Sequence, residues 1–148
     1  MNHKTIEISH FENIADVDEK IAPLILACWK LGIKTRLSCE NNVPKSWVWI
    51  MFDSATDAEK FISIVAANRK HSIYERISQE YENGEGKDWK YDICMADEST
   101  ELISNDNYET VESFYHAPPN LKMNISVRFP CSDLKYVMKM IDKKLKGK

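Results

Sequence analysis

The sequence predicts an α+β fold: an antiparallel sheet of ferredoxin-like (split βαβ) order with helices on one face, extended by a final strand and helix. Three observations predict it. Apolar residues alternate with period two over several short stretches, stripes at helical spacing follow three of them, and turn or cap residues punctuate the junctions. A chain of 148 residues is expected to form one domain over positions 1–148, long enough to bury a core without disulfide or metal staples.

Positions 4–11 set Ile6 and Ile8 against Thr5, Glu7 and Ser9, as a first strand does. A helix is expected from about Asp16, with Val17, Ile21, Leu24, Cys28 and Leu31 on one stripe. Pro23 suits only a first turn, which moves the start to Asp18 or beyond, and Gly32 closes the helix as a C′ glycine. Ile33, Thr35, Leu37 and Cys39 then alternate with Lys34, Arg36, Ser38 and Glu40 as a half-buried strand, and Glu40-Asn41-Asn42-Val43-Pro44 is its turn. Positions 46–52 form a strand apolar on both sides. Ser54, with Asp57 three residues on, opens a helix in a capping-box-like arrangement, its buried stripe being Ala58, Phe61, Ile62 and Val65.

Positions 71–82 are ambiguous, with helix the nearest reading. Asn83-Gly84-Glu85-Gly86 breaks the chain before a strand with Trp89, Tyr91, Ile93 and Met95 on one face. Positions 96–120 are polar and acidic and end in Pro118-Pro119, as expected of a long acidic loop or insertion. Leu121, Met123, Ile125, Val127 and Phe129 alternate with Lys122, Asn124, Ser126 and Arg128. Ser132 is expected to cap a last helix with Leu134, Val137, Met138, Ile141 and Leu145 on its apolar side. The junctions F-D-S-A-T-D-A-E-K-F and F-P-C-S-D-L-K-Y-V echo one another, which fits either a ββα pseudo-repeat or capping chemistry alone.

With 43% hydrophobic and 29% charged residues, the composition is that of an ordinary globular protein. The longest apolar run, positions 21–29, contains Pro23 and is too short to span a bilayer. The start, M-N-H-K-T-I-E-I, lacks a basic segment followed by an apolar run. Cys28, Cys39, Cys94 and Cys131 are widely spaced without a C-x-x-C, so reduced thiols in a cytoplasmic protein are expected. Charge is uneven: positions 97–112 hold six acidic and no basic residues, and positions 122–148 hold eight Lys or Arg. A solvated loop and a dipole-matched helix end account for this; a basic end that meets phosphates or an acidic partner is the sharper reading.

No H-x-x-x-H, C-x-x-C or H-E-x-x-H is present, and neither phosphate-binding glycine motif occurs, so no metal and no cofactor are expected. His71 and His116 read as surface residues and His3 as part of a terminus. In a ferredoxin-like order the first two strands run parallel. The loop after His10 would then lie near Cys39, Glu40, Asn41 and Asn42, a polar cleft or a thiol nucleophile with His10 or Glu40 as its acid/base partner. Against this, Glu40-Asn41-Asn42 is what a turn needs in any case, and Cys39 suits a small core position.

The most informative stretch is K-S-W-V-W-I-M-F at positions 45–52, running straight into a capped helix. It resembles the RNP1 segment of RNA-recognition motifs, whose alternate aromatics stack on bases. That resemblance implies Trp47 and Trp49 as stacking residues and Lys45 as a phosphate contact, with Val48, Ile50 and Phe52 facing the helices. The stretch L-G-I-K-T-R-L-S-C-E ahead of the aromatic strand is also similar to a set of small uncharacterised bacterial proteins sharing G-I-x-T-x-x-S-C, a resemblance that implies no activity. A face carrying Trp47, Trp49 and Met51, joined by Trp89 and Tyr91, would be too apolar to stand open on a monomer. The role expected is therefore a non-catalytic cytoplasmic binding or interaction domain, with self-association through this face as one route. The alternatives are single-stranded nucleic-acid binding and an enzyme using Cys39.

Overall fold

The computed structural model describes residues 3–42, 46–68, 70, 73–78, 88–97 and 121–147. It begins with an antiparallel hairpin, β1 (Thr5–His10) and β2 (Asn13–Asp18), paired from Thr5↔Asp18 to His10↔Asn13. Within β2, Ala15 and Val17 turn inward while Ile14 and Asp16 stay exposed. That is a period of two, so the helix expected from Asp16 gives way to a strand, and α1 (Ala22–Lys30) starts later, with Pro23 in its first turn. A Schellman motif ends α1: Gly32 sits at φ +77°, its N–H donates to the Trp29 carbonyl, and the Ile33 N–H reaches the Cys28 carbonyl at 2.9 Å.

Two further antiparallel pairs follow, each leading into a helix. The first is β3 (Thr35–Asn42) with β4 (Trp47–Phe52), followed by α2 (Ala55–Val65). Ser54 caps α2 as expected, its Oγ accepting the Asp57 N–H at 3.1 Å. The Asp57 carboxylate in turn accepts the Ser54 hydroxyl at 2.6 Å and the Lys34 N–H at 2.9 Å, locking the cap onto the start of β3. After the short α3 (Ile73–Arg76) and β5 (Ile77–Ser78), β6 (Trp89–Asp97) pairs with β7 (Leu121–Pro130), and a 3-10 turn (Cys131–Asp133) leads into α4 (Leu134–Lys146). Residues 98–120, expected to be a loop, lie outside the described residues.

The fold is α+β, with the main sheet ordered β3-β4-β7-β6-β5, antiparallel except between β5 and β6. The first strand, which a split βαβ order would place inside this sheet, stays in its own hairpin. β7 occupies the place beside β4 instead, paired Val48↔Phe129, Ile50↔Val127 and Phe52↔Ile125. α2 lies on β4 and β7, α4 packs on both α1 and α2, and the hairpin packs on α1. Val48, Ile50, Phe52, Phe61, Phe129 and Trp89 are fully buried in the resulting core, and each contributes about 2 kcal/mol of burial.

The junction expected to be capped by Ser132 is built differently. Asp133 is the residue before α4, yet its carboxylate does not cap the helix. It pairs with the Arg76 guanidinium at 3.0 Å and accepts the indole N–H of Trp89 at 2.9 Å, so one side chain joins α3, β6 and the start of α4. Trp89 is wholly buried, and without that acceptor its N–H would be orphaned. We expect Asp133→Ala to lower the unfolding free energy by about 2 kcal/mol, and Asp133→Asn, which keeps an acceptor, by about 1 kcal/mol or less. Urea titrations with unchanged m-values would show this; equal losses for the two substitutions would refute the role given to the indole bond.

Candidate functional site

Two regions carry chemistry. One is the sheet face turned away from the helices, where paired residues stand in rows across the strands. Cys39, Trp49, Arg128 and Lys90 form one row, and Leu37, Met51, Ser126 and Asp92 the next. The register corrects the expected aromatic face. Trp89 and Tyr91 alternate with Lys90 and Asp92, so they point to the helix side, where Trp89 stacks on Phe129 with centroids 4.6 Å apart. Trp47 shares the face with Trp49 but is only 5% exposed, whereas Trp49 and Met51 are half-buried and Leu37 is 56% exposed. On the β6 and β7 side of this face Lys90, Asn124 and Ser126 are buried, while Asp92 and Arg128 are half-buried. The amide of Asn124 has no hydrogen-bond partner among the described residues.

A register shift between Thr35 and Leu37 explains why the alternation in β3 does not bury Leu37. The bulge turns Leu37 and Cys39 to the face opposite the helical core. Lys45 lies outside the described residues, as do the side chains of Asn41 and Asn42, whose backbones end β3.

The second region lies where the hairpin meets the outer edge of β3. Because Thr5 pairs with Asp18, the start of β1 lies beside the end of β2; β2 packs on β3 there, and His3, just ahead of β1, reaches it too. The His3 Nδ1 lies 3.0 Å from Asp18 Oδ2 and 3.7 Å from the Cys39 sulfur. The same Asp18 oxygen accepts the Glu40 N–H at 2.9 Å. Glu40 also accepts the Lys20 N–H at 2.7 Å through its carboxylate, and its carbonyl accepts the Cys131 thiol at 3.3 Å. Burial pushes the Asp18 carboxyl up. The Glu40 N–H, the His3 hydrogen bond and charge, and the Cys39 thiol together outweigh it and hold the group below its ordinary value.

The imidazole beside Cys39 is therefore His3, not His10. His10 is at the opposite end of the hairpin, edge-on to Phe11. Nor do the contacts form a nucleophile relay. A relay needs the carboxylate on one ring nitrogen and the thiol on the other, whereas here both face Nδ1. His3 and Asp18 escaped sequence reasoning because they are 15 positions apart and 36 and 21 positions from Cys39, a spacing no local motif covers.

The lysines of α4 rim two open clefts. One, of about 690 Å³, has an apolar floor that includes Leu31, Ile64 and Met140, with Lys60, Lys143 and Lys144 at its edge. The other, of about 790 Å³, runs from Cys131 along α4. Among the described residues, no helix is long and apolar enough to cross a membrane.

No family model matches the chain. It is 33% identical over 138 residues to uncharacterized protein R428 of Acanthamoeba polyphaga mimivirus, an alignment covering 90% of this chain. The chain spans 65% of the length of that curated relative. No solved structure matches it.

The thiols differ in what surrounds them. Burial pushes Cys28 up to about 12, and burial also raises Cys131, with Lys20 opposing and Glu40 adding to the effect. Alkylation requires the thiolate. Cys28 is therefore expected to stay unmodified by iodoacetamide at neutral pH in the folded protein and to react only on unfolding, while half-exposed Cys39 reacts natively. Peptide mapping by mass spectrometry checks this; native labelling of Cys28 at a rate matching Cys39 would contradict it.

Proposed function

We propose that this chain is a non-catalytic binding domain that associates with a second copy of itself through the β3 and β4 side of the outer sheet face. The observation that carries this reading is Leu37: it is 56% exposed on the strand that ends the sheet order, directly across from Met51 and next to the Cys39–Trp49 row. An apolar patch on an edge strand is suited to isologous contact, in which the same residues serve both partners. The non-catalytic part is supported by the shared His3 nitrogen, which leaves Cys39 without a relay among the described residues. A cytoplasmic setting is in keeping with the free thiols of Cys28, Cys39 and Cys131.

The ferredoxin-like reading takes a permuted form. The strands β3-β4-β7-β6 with α2 and α4 carry the strand directions of such a sheet when the chain enters at its second strand.

Sedimentation velocity over a concentration series tests the association. The wild type is expected to sediment as a dimer at the upper concentrations. Leu37→Glu should raise the dissociation constant at least about tenfold, equivalent to ~1.4 kcal/mol, with an unchanged circular dichroism spectrum. A wild type that stays monomeric throughout the series rejects the proposal.

A second reading, single-stranded nucleic-acid binding, is favoured by one observation: half-buried Arg128 stands directly across from Trp49 in the same row. Stacking on an aromatic side chain beside a cation is how such surfaces hold a strand without base specificity. Fluorescence anisotropy with labelled single-stranded RNA at low salt should then show salt-sensitive binding that Trp49→Ala weakens by about tenfold or more. Binding that is absent, or indifferent to both salt and Trp49, removes this reading.

A further inference from the structure

The His3, Asp18 and Cys39 side chains present a nitrogen, an oxygen and a sulfur that all lie within 4.8 Å of one another. They come from three separate stretches of chain, before β1, at the end of β2 and in β3. We propose that these three atoms form a binding site for a borderline-soft divalent cation of the zinc class, with a fourth coordination position left to water or an external donor.

The donor set fits that ion. Zinc takes thiolate, imidazole and carboxylate ligands at about 2.3, 2.0 and 2.0 Å, which in a tetrahedron puts nitrogen and oxygen ~3.3 Å apart and sulfur ~3.5 Å from either. The observed nitrogen–oxygen and nitrogen–sulfur separations are 3.0 and 3.7 Å, each within a few tenths of an ångström of those values, and oxygen and sulfur lie within 4.8 Å of one another. A hard cation such as magnesium would instead select an all-oxygen set.

Convergence on a single point also makes sense of the contacts that a nucleophile relay leaves unexplained. The thiol and the carboxylate face the same ring nitrogen because all three groups surround one location. The Glu40 N–H donates to the Asp18 carboxylate at 2.9 Å and so orients it from outside, as an outer-shell partner of a metal ligand does. Binding would displace the proton from the Cys39 thiol to solvent and leave His3 neutral at Nδ1. Three protein ligands leave the site open, unlike the four of a closed structural site.

Titration of the metal-free full-length chain with cobalt(II), under a non-chelating reductant, tests the site, because cobalt(II) in such a set reports both thiolate ligation and geometry. The wild type is expected to take up one cobalt per chain, with a thiolate-to-cobalt charge-transfer band in the near ultraviolet and tetrahedral d–d bands in the visible. Excess zinc should displace it and abolish both. Cys39→Ala should remove the charge-transfer band. His3→Gln should weaken cobalt binding by at least about 100-fold, since outer-shell partners alone cost ~10- to 100-fold. Cys131→Ser should leave the spectrum unchanged. His3 lies near the start of the chain and outside the core, so its variant reports on the site even if Cys39→Ala fails to fold. A wild type without a charge-transfer band, a band lost in Cys131→Ser, or a His3→Gln protein that binds as tightly as wild type would each overturn the proposal.

Discussion

The antiparallel pairing of β4 with β7 is the constraint on which the rest of this molecule depends. Six consecutive residue pairs, Trp47↔Pro130 to Phe52↔Ile125, join two stretches of chain far apart in sequence. In this register Val48, Ile50 and Phe52 line up with Phe129, Val127 and Ile125 on the helix side, and Trp49 and Met51 with Arg128 and Ser126 on the other. A slip of one residue would turn an apolar row into solvent and a cation into the core, so burial itself enforces the pairing. Each central strand then brings its hairpin partner and its helix: β3 and α2 with β4, β6 and α4 with β7. The two halves are joined above the sheet as well, where the Tyr136 hydroxyl of α4 donates to the Val65 carbonyl at the end of α2.

The first hairpin attaches to this frame by different means. Its apolar contribution is small, Ile8 and Val17 on one side of the pair, and these pack against α1. What orients it is polar: Asp18 accepts a backbone N–H from β3, and the Lys20 N–H donates back to Glu40. An edge strand with unpaired amides is a hazard, and covering part of it with a carboxylate relieves that hazard locally. The same contact carries His3 to Cys39, so the candidate cation site follows from how the edge is covered. Further along β3 the cover ends, and Leu37 lies open beside Met51.

Local chemistry was legible wherever it is made by neighbours in sequence. Gly32 stands in the left-handed region after α1, Ser54 caps α2 with Asp57, and Pro23 sits in a first turn, each as its residue type requires. The echo between the two strand-to-helix junctions matches a real structural recurrence, because an antiparallel pair precedes α2 and another precedes α4. Ser132 misled for the opposite reason. Its neighbour Asp133 is engaged by Arg76 and Trp89, partners 57 and 44 positions away that outweigh a local capping preference. The candidate site was half legible: Cys39 and Glu40 stood out at the end of a strand, but the imidazole that reaches them had to come from a hairpin that periodicity alone read as a strand and a helix start.

By itself the sequence determined periodicity over most of the chain, β2 and the cap of α4 excepted: which segments extend, which coil, that Ser54 caps α2, and that Val48, Ile50 and Phe52 share a face. Those properties depend on residues within a turn or two of one another, where steric and hydrogen-bonding preferences act without knowledge of the rest of the chain. The tertiary structure alone decided which strand lies beside β4, which side of β6 meets the helices, and which histidine stands beside Cys39. Those outcomes depend on register and on the bulge in β3, and both are selected by the burial of surfaces distant in sequence. Trp89 shows the difference plainly: its alternation with Lys90 is written in the sequence, but only pairing with β7 made its side the inner one.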